Sequence, residues 1–399
     1  MSQIRVAVIK DRYQSSFMSP RQSRHVIDRR QFVPFNKIRN RYDGFTMLAP
    51  GRPVDLVHAH NRLPVGAGKM IVSFESHMPR RYAWPKDNML TLAMQRIVES
   101  NKCRRLIGMS HFAKRLFLKQ HENSPNLDLL TAKLMVRHPN LEIPDRGDRL
   151  DLHEPGPLKL VFVGADFGRK GGCVAARMAQ LAHERSLPVH ITFISALTVG
   201  NNWIDPSSEG FFDPYLKAAS LPTATFVGAQ PSAVVKDVLG QSHFSLLHTF
   251  ADTFGYSAIE AMAEHTPVIG TRLCALPEFI TDGVNGFLLD VDATPEGEWT
   301  GIAYSKRHTA DYGRGFAEQV DRLAEETLAR LEPYFDNHLA AAPLRMSARH
   351  TAEQMFDAQA QASAWDALYE WVAAENVKDA PRLDVTKDWS SRDQFASSS

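Results

Sequence analysis

The segment that most constrains this chain is residues 252–270, where two carboxylates flank an aromatic-glycine bend and an apolar, strand-like run follows. We expect Asp252 to lie in a loop and Glu260 on the opening turn of the next helix. A loop that turns at Gly255 into a helix directs backbone N–H groups outward, where they can receive a phosphate. A carboxylate beside them can accept hydrogen bonds from sugar hydroxyls. The segment therefore predicts a nucleotide-sugar site.

The same segment has a simpler interpretation. Ser257 and Glu260 are three residues apart at the start of a helix, which is the spacing of a capping box. A capping box alone would explain both residue types. The sequence of this segment leaves the two interpretations open, and an upstream segment favours the first.

That upstream segment reads as a buried strand over residues 158–163, a glycine-rich loop over 164–172 and a helix over 173–182. The loop begins at Gly164 and carries Arg169 and Lys170 side by side. Because a helix N-terminus, N–H groups and two cations converge there, the loop predicts an anion cradle. It matches neither the Walker pattern nor G-x-G-x-x-G. An ordinary strand-to-helix turn with a solvated Arg-Lys pair is the alternative.

In this order and spacing, the two segments resemble the retaining glycosyltransferases of family 4, which have the GT-B fold. The family carries Glu-x7-Glu, and here the motif reads Asp252-x7-Glu260. The family's usual arginine after the first glycine is Ala165 in this chain, and Arg169 and Lys170 are adjacent instead. The resemblance extends over roughly residues 50–290 and is stronger in the C-terminal half.

The resemblance implies an α/β protein of the GT-B fold: two Rossmann-like domains with parallel sheets facing a central cleft, and a C-terminal helix that crosses back to the first domain. Residues 1–150 would form the acceptor-side domain with helix 352–375 packed on it, and residues 157–345 the nucleotide-sugar-binding domain. The polar, proline-rich residues 144–157 read as the linker. Apolar runs predict strands at 4–9, 55–57, 69–74, 105–109, 134–137, 159–163, 189–194, 224–227, 244–247, 267–270 and 286–289.

The family also implies a reaction, the transfer of a hexose-type sugar from a nucleotide diphosphate donor, UDP- or GDP-linked, with retention and without a metal ion or cofactor. The acceptor would be a glycan or lipid-linked hydroxyl in the assembly of bacterial-type glycans, polysaccharides or glycolipids. The catalytic residues implied are Arg169, Lys170, Asp252 and His77. The donor-binding residues implied are Glu260, Gly164, Phe254, Gly255, Tyr256, Ser257, Val227 and Gly228.

Two rival functions use the same cradle. One is a nucleotide-sugar-binding partner protein with little or no activity, which the shortened Asp252 and the displaced arginine favour. The other is a GT-B-fold sugar-nucleotide epimerase, which would need further acid/base groups that these motifs do not supply. Donor hydrolysis separates an enzyme from a binding protein.

The charge is unevenly distributed along the chain. Residues 1–150 hold 27 of the 46 Lys and Arg but only 12 of the 45 Asp and Glu, a balance of +15, so the remainder carries −14. The basic half predicts either an anionic membrane or glycan as partner, or attraction between the two domains. Helix 111–120, with Phe112 and Leu116 on one face, could lie on such a membrane or be an ordinary surface helix. Nothing points to nucleic acid.

Several other motifs in the chain do not require a functional interpretation. Asp290 and Asp292 form a D-x-D of the metal-binding type, but they follow a strand far from the cradle and read as a solvated strand exit. Residues 146–148 read Arg-Gly-Asp by chance. His58 and His60 could pair on a metal, yet no third ligand is apparent, so we expect a structural or cleft-lining role. Three scattered cysteines, no signal peptide and no long apolar run predict a cytoplasmic protein, with membrane association left open.

Overall fold

The computed structural model describes residues 3–10, 18–39, 42–80, 88–143 and 156–374. The chain divides into two compact units, the first formed by Met1–Ile143 with Gln354–Ser399 and the second by Pro144–Glu353. The predicted linker, apart from its last two residues, and the Arg-Gly-Asp tripeptide lie outside the described residues, as does the polar tail that we expect beyond residue 376.

Unit 1 contains two sheets in its described part. Its strands, in chain order, are β1 Arg5–Ile9, β2 Val26–Arg30, β3 Phe32–Pro34, β4 Phe45–Leu48, β5 Leu56–His60, β6 Leu63–Pro64, β7 Met70–Phe74, β8 Cys103–Gly108 and β9 Leu134–Val136. The larger sheet has the order β2-β1-β5-β7-β8-β9 and is parallel throughout. Every residue of β5, β7 and β8 is buried, as expected for parallel strands that are covered on both faces.

The helices of unit 1 include α1 Met89–Glu99, α2 His111–His121 and α3 Leu127–Lys133. Ser110 caps α2 by accepting a hydrogen bond from Ala113 N. In α2, Phe112 and Leu116 are buried within the protein. This apolar face is used for packing, so the structure favours the ordinary surface helix over a membrane-lying one.

Unit 2 contains one parallel sheet in its described part. Its strands are β10 Leu158–Val163, β11 Val189–Ile194, β12 Ala224–Phe226, β13 Phe244–Leu247, β14 Val268–Thr271 and β15 Gly286–Leu289. The spatial order is β12-β11-β10-β13-β14-β15. Strands β10, β11 and β12 are therefore added in one direction across the sheet, and β13, β14 and β15 are added in the opposite direction. The order reverses between β10 and β13, and open α/β sheets bind ligands outside the carboxyl ends of strands at such a switch point.

The helices that accompany this sheet are α4 Gly172–Glu184, α5 Asp213–Ala218, α6 Ser232–Gly240, α7 Tyr256–Ala263, α8 Ala310–Leu331 and α9 Ala342–Phe356. Two arginines of α9 donate to carbonyls at or just beyond the ends of other helices: Arg345 to Ser242 O, two residues after α6, at 2.7 Å, and Arg349 to Ala263 O, the last residue of α7, at 2.6 Å. Cations at these positions complement the helix dipoles of α6 and α7.

The C-terminal helical region is two helices rather than the single helix that the sequence predicts. After α9, the chain breaks at Asp357, which bridges to Leu141, and continues as α10 Ala358–Ala374. Helix α10 packs on the parallel sheet of unit 1, where Tyr369 Oη lies 2.9 Å from Nδ1 of His58. The guanidinium of Arg105 lies 3.4 Å from the ring centre of Trp371.

Candidate functional site

The switch point of unit 2 brings together the two loops that the sequence predicts to cooperate. Residues 164–171 follow β10, and residues 248–255 follow β13. Phe250 N donates to Arg169 O at 2.9 Å, and Thr249 Oγ1 donates to the same carbonyl at 3.1 Å. Gly171 has φ +85°, and a Cβ there would lie 2.3 Å from His248 O. Only glycine therefore permits this close approach of the loops.

Side chains from the two loops also meet. Lys170 Nζ donates to Asp252 Oδ2. Arg169 Nη1 donates to Ala251 O at 2.7 Å and lies 3.9 Å from Asp252 Oδ1, while its other nitrogens bind Asp166. The Asp252 and Lys170 side chains are 8% and 16% exposed. The structure thus places Arg169, Lys170 and Asp252 in one cluster, with a second aspartate that the sequence does not single out.

This environment lowers the pKa of Asp252. Burial by itself would raise the pKa of the carboxyl group, but the charges of Lys170 and Arg169 outweigh it, and the pKa lies below the ordinary value of 3.8. Asp252 is therefore an anion near neutral pH. With Asp166 beside Arg169, the four side chains carry two positive and two negative charges.

Helix α7 begins one residue after the glycine bend, and this makes the capping-box interpretation wrong. Gly255, with φ +95°, is the N-cap, so Ser257 is the second helical residue and Glu260 lies in the second turn. A capping box needs Ser at the N-cap itself. The Ser257 hydroxyl is buried, without a hydrogen-bond partner among the described residues. Glu260 is also buried, although it does not cap the helix.

The aromatic residues of the bend belong to the core. Phe254 is fully buried and stacks on Phe279 with ring centres 5.2 Å apart, and Tyr256 is almost fully buried. Their side chains are therefore unavailable to a ligand. What this segment can offer an anion is the N-terminus of α7, whose dipole favours negative charge, although Ala258 N already donates to Gly255 O at 2.9 Å.

The remaining predicted donor-binding residues lie at two places along the same sheet edge. Gly164 is beside Lys170, because a Cβ added to it would lie 3.2 Å from Lys170 Cβ. Val227 and Gly228 follow edge strand β12, two strands away from β10. Val227 N donates to Phe193 O, and its carbonyl accepts from the Gln230 side chain at 2.5 Å. Both backbone groups of Val227 are thus engaged, whereas Gly228 faces open space.

His77 belongs to unit 1, where it follows β7 and is exposed. It therefore lies at the carboxyl end of its strand, the edge where open α/β sheets bind ligands. The nearby His58 and His60 are structural: His60 contacts Ser73 Oγ at 2.9 Å and Glu75 Oε1 at 3.4 Å. Burial lowers the pKa of His58 to about 3, so it is neutral at neutral pH. The described residues contain no cluster of three or more groups suited to a metal ion.

The D-x-D motif is a strand exit. Asp290 follows β15 and forms an ion pair with Arg272 at 2.5 Å, with both side chains substantially exposed. Neither acid approaches the cluster around Asp252 through a described contact.

Comparison with known proteins agrees with the geometry of unit 2. Residues 157–298 match the family model "Glycosyl transferases group 1", a region that contains both loops of the cluster. The chain is 27% identical over 231 residues to D-inositol 3-phosphate glycosyltransferase of Mycolicibacterium vanbaalenii, covering 54% of this chain and 48% of that protein. It is 38% identical over 78 residues to N-acetyl-alpha-D-glucosaminyl L-malate synthase of Bacillus anthracis, 20% of this chain and 19% of that protein. The chain thus spans about half or less of the length of these curated relatives.

Solved structures share the fold. A glycosyltransferase from Rickettsia africae superposes with a TM-score of 0.54 at 15% identity, covering 81% of this chain and 78% of that one. Anabaena HepE, solved in complex with UDP-glucose, superposes with a TM-score of 0.50 at 15% identity, covering 80% and 79%. The α/β fold with parallel sheets in two domains is that of GT-B glycosyltransferases.

Proposed function

We propose that this protein is a retaining glycosyltransferase of family 4, which transfers a hexose-type sugar from a UDP- or GDP-linked donor to an acceptor hydroxyl. The observation that carries the proposal is the convergence of Lys170, Arg169 and Asp252 at the switch point of unit 2, next to the first turn of α7. This arrangement offers cationic and N–H donors for a diphosphate beside a carboxylate for hydroxyls.

Lys170 is the principal cation in this account. Its ammonium group has three N–H donors, and the bond to Asp252 uses one of them. Arg169 already directs donors to Asp166 and to Ala251 O, so it mainly holds the two loops together. When the donor's leaving group departs, negative charge develops on the diphosphate. Lys170 and the N–H groups of α7 would stabilise it without a metal ion.

The two carboxylates would bind the two sugar rings of the donor, the ribose and the transferred sugar. Glu260 lies in the second turn of α7 and does not cap the helix. We assign it the role of accepting hydrogen bonds from the ribose hydroxyls. Asp252, an anion near neutral pH, would accept hydrogen bonds from hydroxyls of the transferred sugar. The base would extend toward β12, where Gly228 offers open backbone. His77 would act near the transferred sugar, and transfer would occur on one face without a covalent intermediate.

One specific observation favours a second candidate, a nucleotide-sugar-binding protein with little or no activity. Asp252 is shorter than the family's glutamate and is bound by Lys170, so a sugar hydroxyl must compete with that ammonium group. Each cation of the cluster is matched by an aspartate, which reduces the net positive charge that meets a diphosphate.

Donor hydrolysis tests the proposal and separates the two candidates. We would first screen UDP- and GDP-sugars by thermal shift, since a ligand that binds only the folded protein raises its stability. Slow hydrolysis of a stabilising donor is expected from a glycosyltransferase. A stabilising donor that remains intact would favour the binding protein, and a panel in which no donor stabilises the protein would contradict both.

The acceptor side is proposed from the resemblance and from the charge distribution along the chain. A glycan or lipid-linked hydroxyl is the proposed acceptor, and the basic residues 1–150 are the proposed contact with an anionic membrane. Among the described residues, no helix combines the length and apolar character needed to cross a bilayer. Flotation of the protein with phosphatidylglycerol vesicles, compared with phosphatidylcholine vesicles, tests the membrane contact.

A further inference from the structure

A large aromatic side chain is exposed beside the phosphate cradle. Trp203 lies on the loop between β11 and α5, and half of its surface, 50%, is exposed. Its ring centre is 5.5 Å from the guanidinium carbon of Arg169. Exposing this much indole forgoes the gain from burying an apolar side chain. The location next to a proposed ligand site gives this exposure a function.

The Trp203 loop runs directly along the cradle. Thr198 exchanges backbone hydrogen bonds with the glycine-rich loop: Thr198 N donates to Ala165 O at 3.0 Å, and Phe167 N donates to Thr198 O at 2.8 Å. Because β11 and β10 are neighbouring strands, the loops that follow them are neighbours at the carboxyl edge. The indole is therefore beside the phosphate end of the proposed donor site.

The loop is held rigidly from inside. Asn202 Oδ1 accepts from Ile204 N at 3.0 Å and from Asp205 N at 2.9 Å, so the turn that carries Trp203 is closed by a side chain. Asp205 is fully buried, and its Oδ2 accepts from Gly200 N at 2.9 Å. These bonds fix both ends of the segment 200–205.

The same segment is also anchored to the rest of unit 2. Arg307 donates to Asp205 O at 2.7 Å and to Gly200 O at 2.8 Å. Tyr312 Oη donates to Ile204 O at 2.5 Å. The backbone that carries Trp203 is therefore already ordered, so little of its conformational freedom is lost when a ligand binds, which favours an effective binding platform.

We propose that Trp203 is a stacking platform for a pyranose ring at the phosphate end of the site, an inference that rests on the proposed function. One face of a pyranose carries mainly C–H groups, which pack well against a flat indole. Arg169 lies beside the indole, so the ring that stacks there is next to the proposed diphosphate position. The transferred sugar of the donor and a sugar acceptor are the two sources of such a ring.

Calorimetry with UDP, GDP, UDP-glucose and GDP-mannose tests the donor source. The expected result for Trp203→Ala is an affinity for the sugar nucleotide about tenfold weaker, with little change for the matching nucleoside diphosphate. Trp203→Phe should retain part of the affinity, because phenylalanine keeps a smaller aromatic face. Trp371→Ala is the matched control, since Trp371 is also exposed (39%) beside an arginine, but in unit 1.

Titration of methyl α-glucopyranoside and methyl α-mannopyranoside, followed by tryptophan fluorescence, tests the acceptor source. Quenching that is present in the wild type and absent in Trp203→Phe would assign the platform to an acceptor pyranose. Unchanged sugar-nucleotide affinity in Trp203→Ala together with unchanged quenching in Trp203→Phe would overturn the proposal. An equal loss of affinity for nucleoside diphosphate and sugar nucleotide would also overturn it, because the indole would then serve the nucleotide.

Failure of the proposed function has a different signature. If the wild type binds neither UDP nor GDP, the nucleotide-sugar function is contradicted whatever happens at Trp203. The methyl pyranoside titration then decides the role of Trp203 by itself: quenching that is lost in Trp203→Phe supports the platform, and quenching that is absent or persists in the variant rejects it.

Discussion

Both units place a largely buried ion pair at the carboxyl edge of a six-stranded parallel sheet, yet the surroundings of only one pair suit an anionic ligand. In unit 1, Glu75 follows β7 and pairs with Arg80 at 3.1 Å. In unit 2, Asp252 follows β13 and pairs with Lys170. The pKa of each carboxyl group is lowered, because neighbouring cations and hydrogen-bond donors outweigh the effect of burial.

The two pairs differ in what surrounds them. The Asp252 pair lies at the strand-order reversal of its sheet, and α7 begins four residues after Asp252. Glu75 follows β7, whereas the strand order of its sheet reverses between β1 and β5. Its second partner, His60, ends strand β5, and β5 is followed by β6 rather than by a helix. The lesson is that ion pairs alone do not mark a phosphate site. A helix N-terminus at the switch point is also required.

The largest expected difference between the two sites is the effect of removing the cation of each pair. Lys170→Ala is expected to lower turnover of the donor by roughly 10²–10³-fold, the range for deleting one preorganised charge-stabilising donor. It should also weaken nucleoside diphosphate binding, measured by calorimetry. Arg80→Ala removes the cation of the unit 1 pair and should leave that affinity unchanged. Equal effects of the two substitutions would remove the distinction between the sites.

Removing the carboxylate of the unit 2 pair should reduce stability in a pH-dependent way. Asp252→Asn is expected to cost about 3 kcal/mol, because it leaves a largely buried ammonium group without its counter-charge. The pKa of Asp252 is lowered in the folded state, so its contribution is present above pH 4 and is lost as the pH falls through the folded pKa. Urea denaturation at pH 7 and pH 3 measures this: the wild type and the variant should differ at pH 7 and converge at low pH. A constant difference would contradict the assignment.

The close approach of the two unit 2 loops can be broken at the backbone. Gly171→Ala is expected to destabilise the protein by about 2 kcal/mol or more, since it combines a left-handed φ with a clash against His248 O. Gly228→Ala is the control, because Gly228 has φ +70° and open space around it, and should cost about 1 kcal/mol. Thermal denaturation compares the two variants. Equal costs would mean that the contact between the loops contributes nothing.

The smallest expected effect concerns Glu260. Glu260→Gln should weaken nucleoside diphosphate binding by about fivefold to tenfold, because a carboxylate accepts stronger hydrogen bonds from ribose hydroxyls than an amide does. The start of α7 should be unaffected, since Gly255 and not Glu260 defines it. Calorimetry checks the affinity, and circular dichroism checks the helix. Unchanged affinity would remove Glu260 from the donor site.

Much of the sheet architecture could be predicted from apolar runs. Strands at 189–194, 244–247 and 286–289 have the predicted bounds, because buried parallel strands are nearly continuous apolar segments. Strand β2 was not predicted, since its sequence Val-Ile-Asp-Arg-Arg is mostly polar and it lies at a sheet edge. The small sheet of β3, β4 and β6 has strands too short to show an alternating pattern.

Three members of the candidate cluster were predictable from the sequence, but its fourth member, Asp166, and the pairing of the side chains were not. Sequence order suggests that Arg169, Lys170 and Asp252 share a site, because the loops after β10 and β13 meet at the switch point. The bond from Lys170 to Asp252 and the role of Asp166 depend on side-chain directions in loops, which no periodicity encodes. The capping box failed for a related reason: the left-handed Gly255 sets the helix start, whatever the spacing of Ser257 and Glu260.

The most direct measurement is a crystal structure of the protein with the nucleoside diphosphate, UDP or GDP, that stabilises it most. Diphosphate oxygens are expected within about 3 Å of Lys170 Nζ and of the first N–H groups of α7. A diphosphate bound elsewhere, with Lys170 still held only by Asp252, would contradict the assignment of this switch point as the donor site.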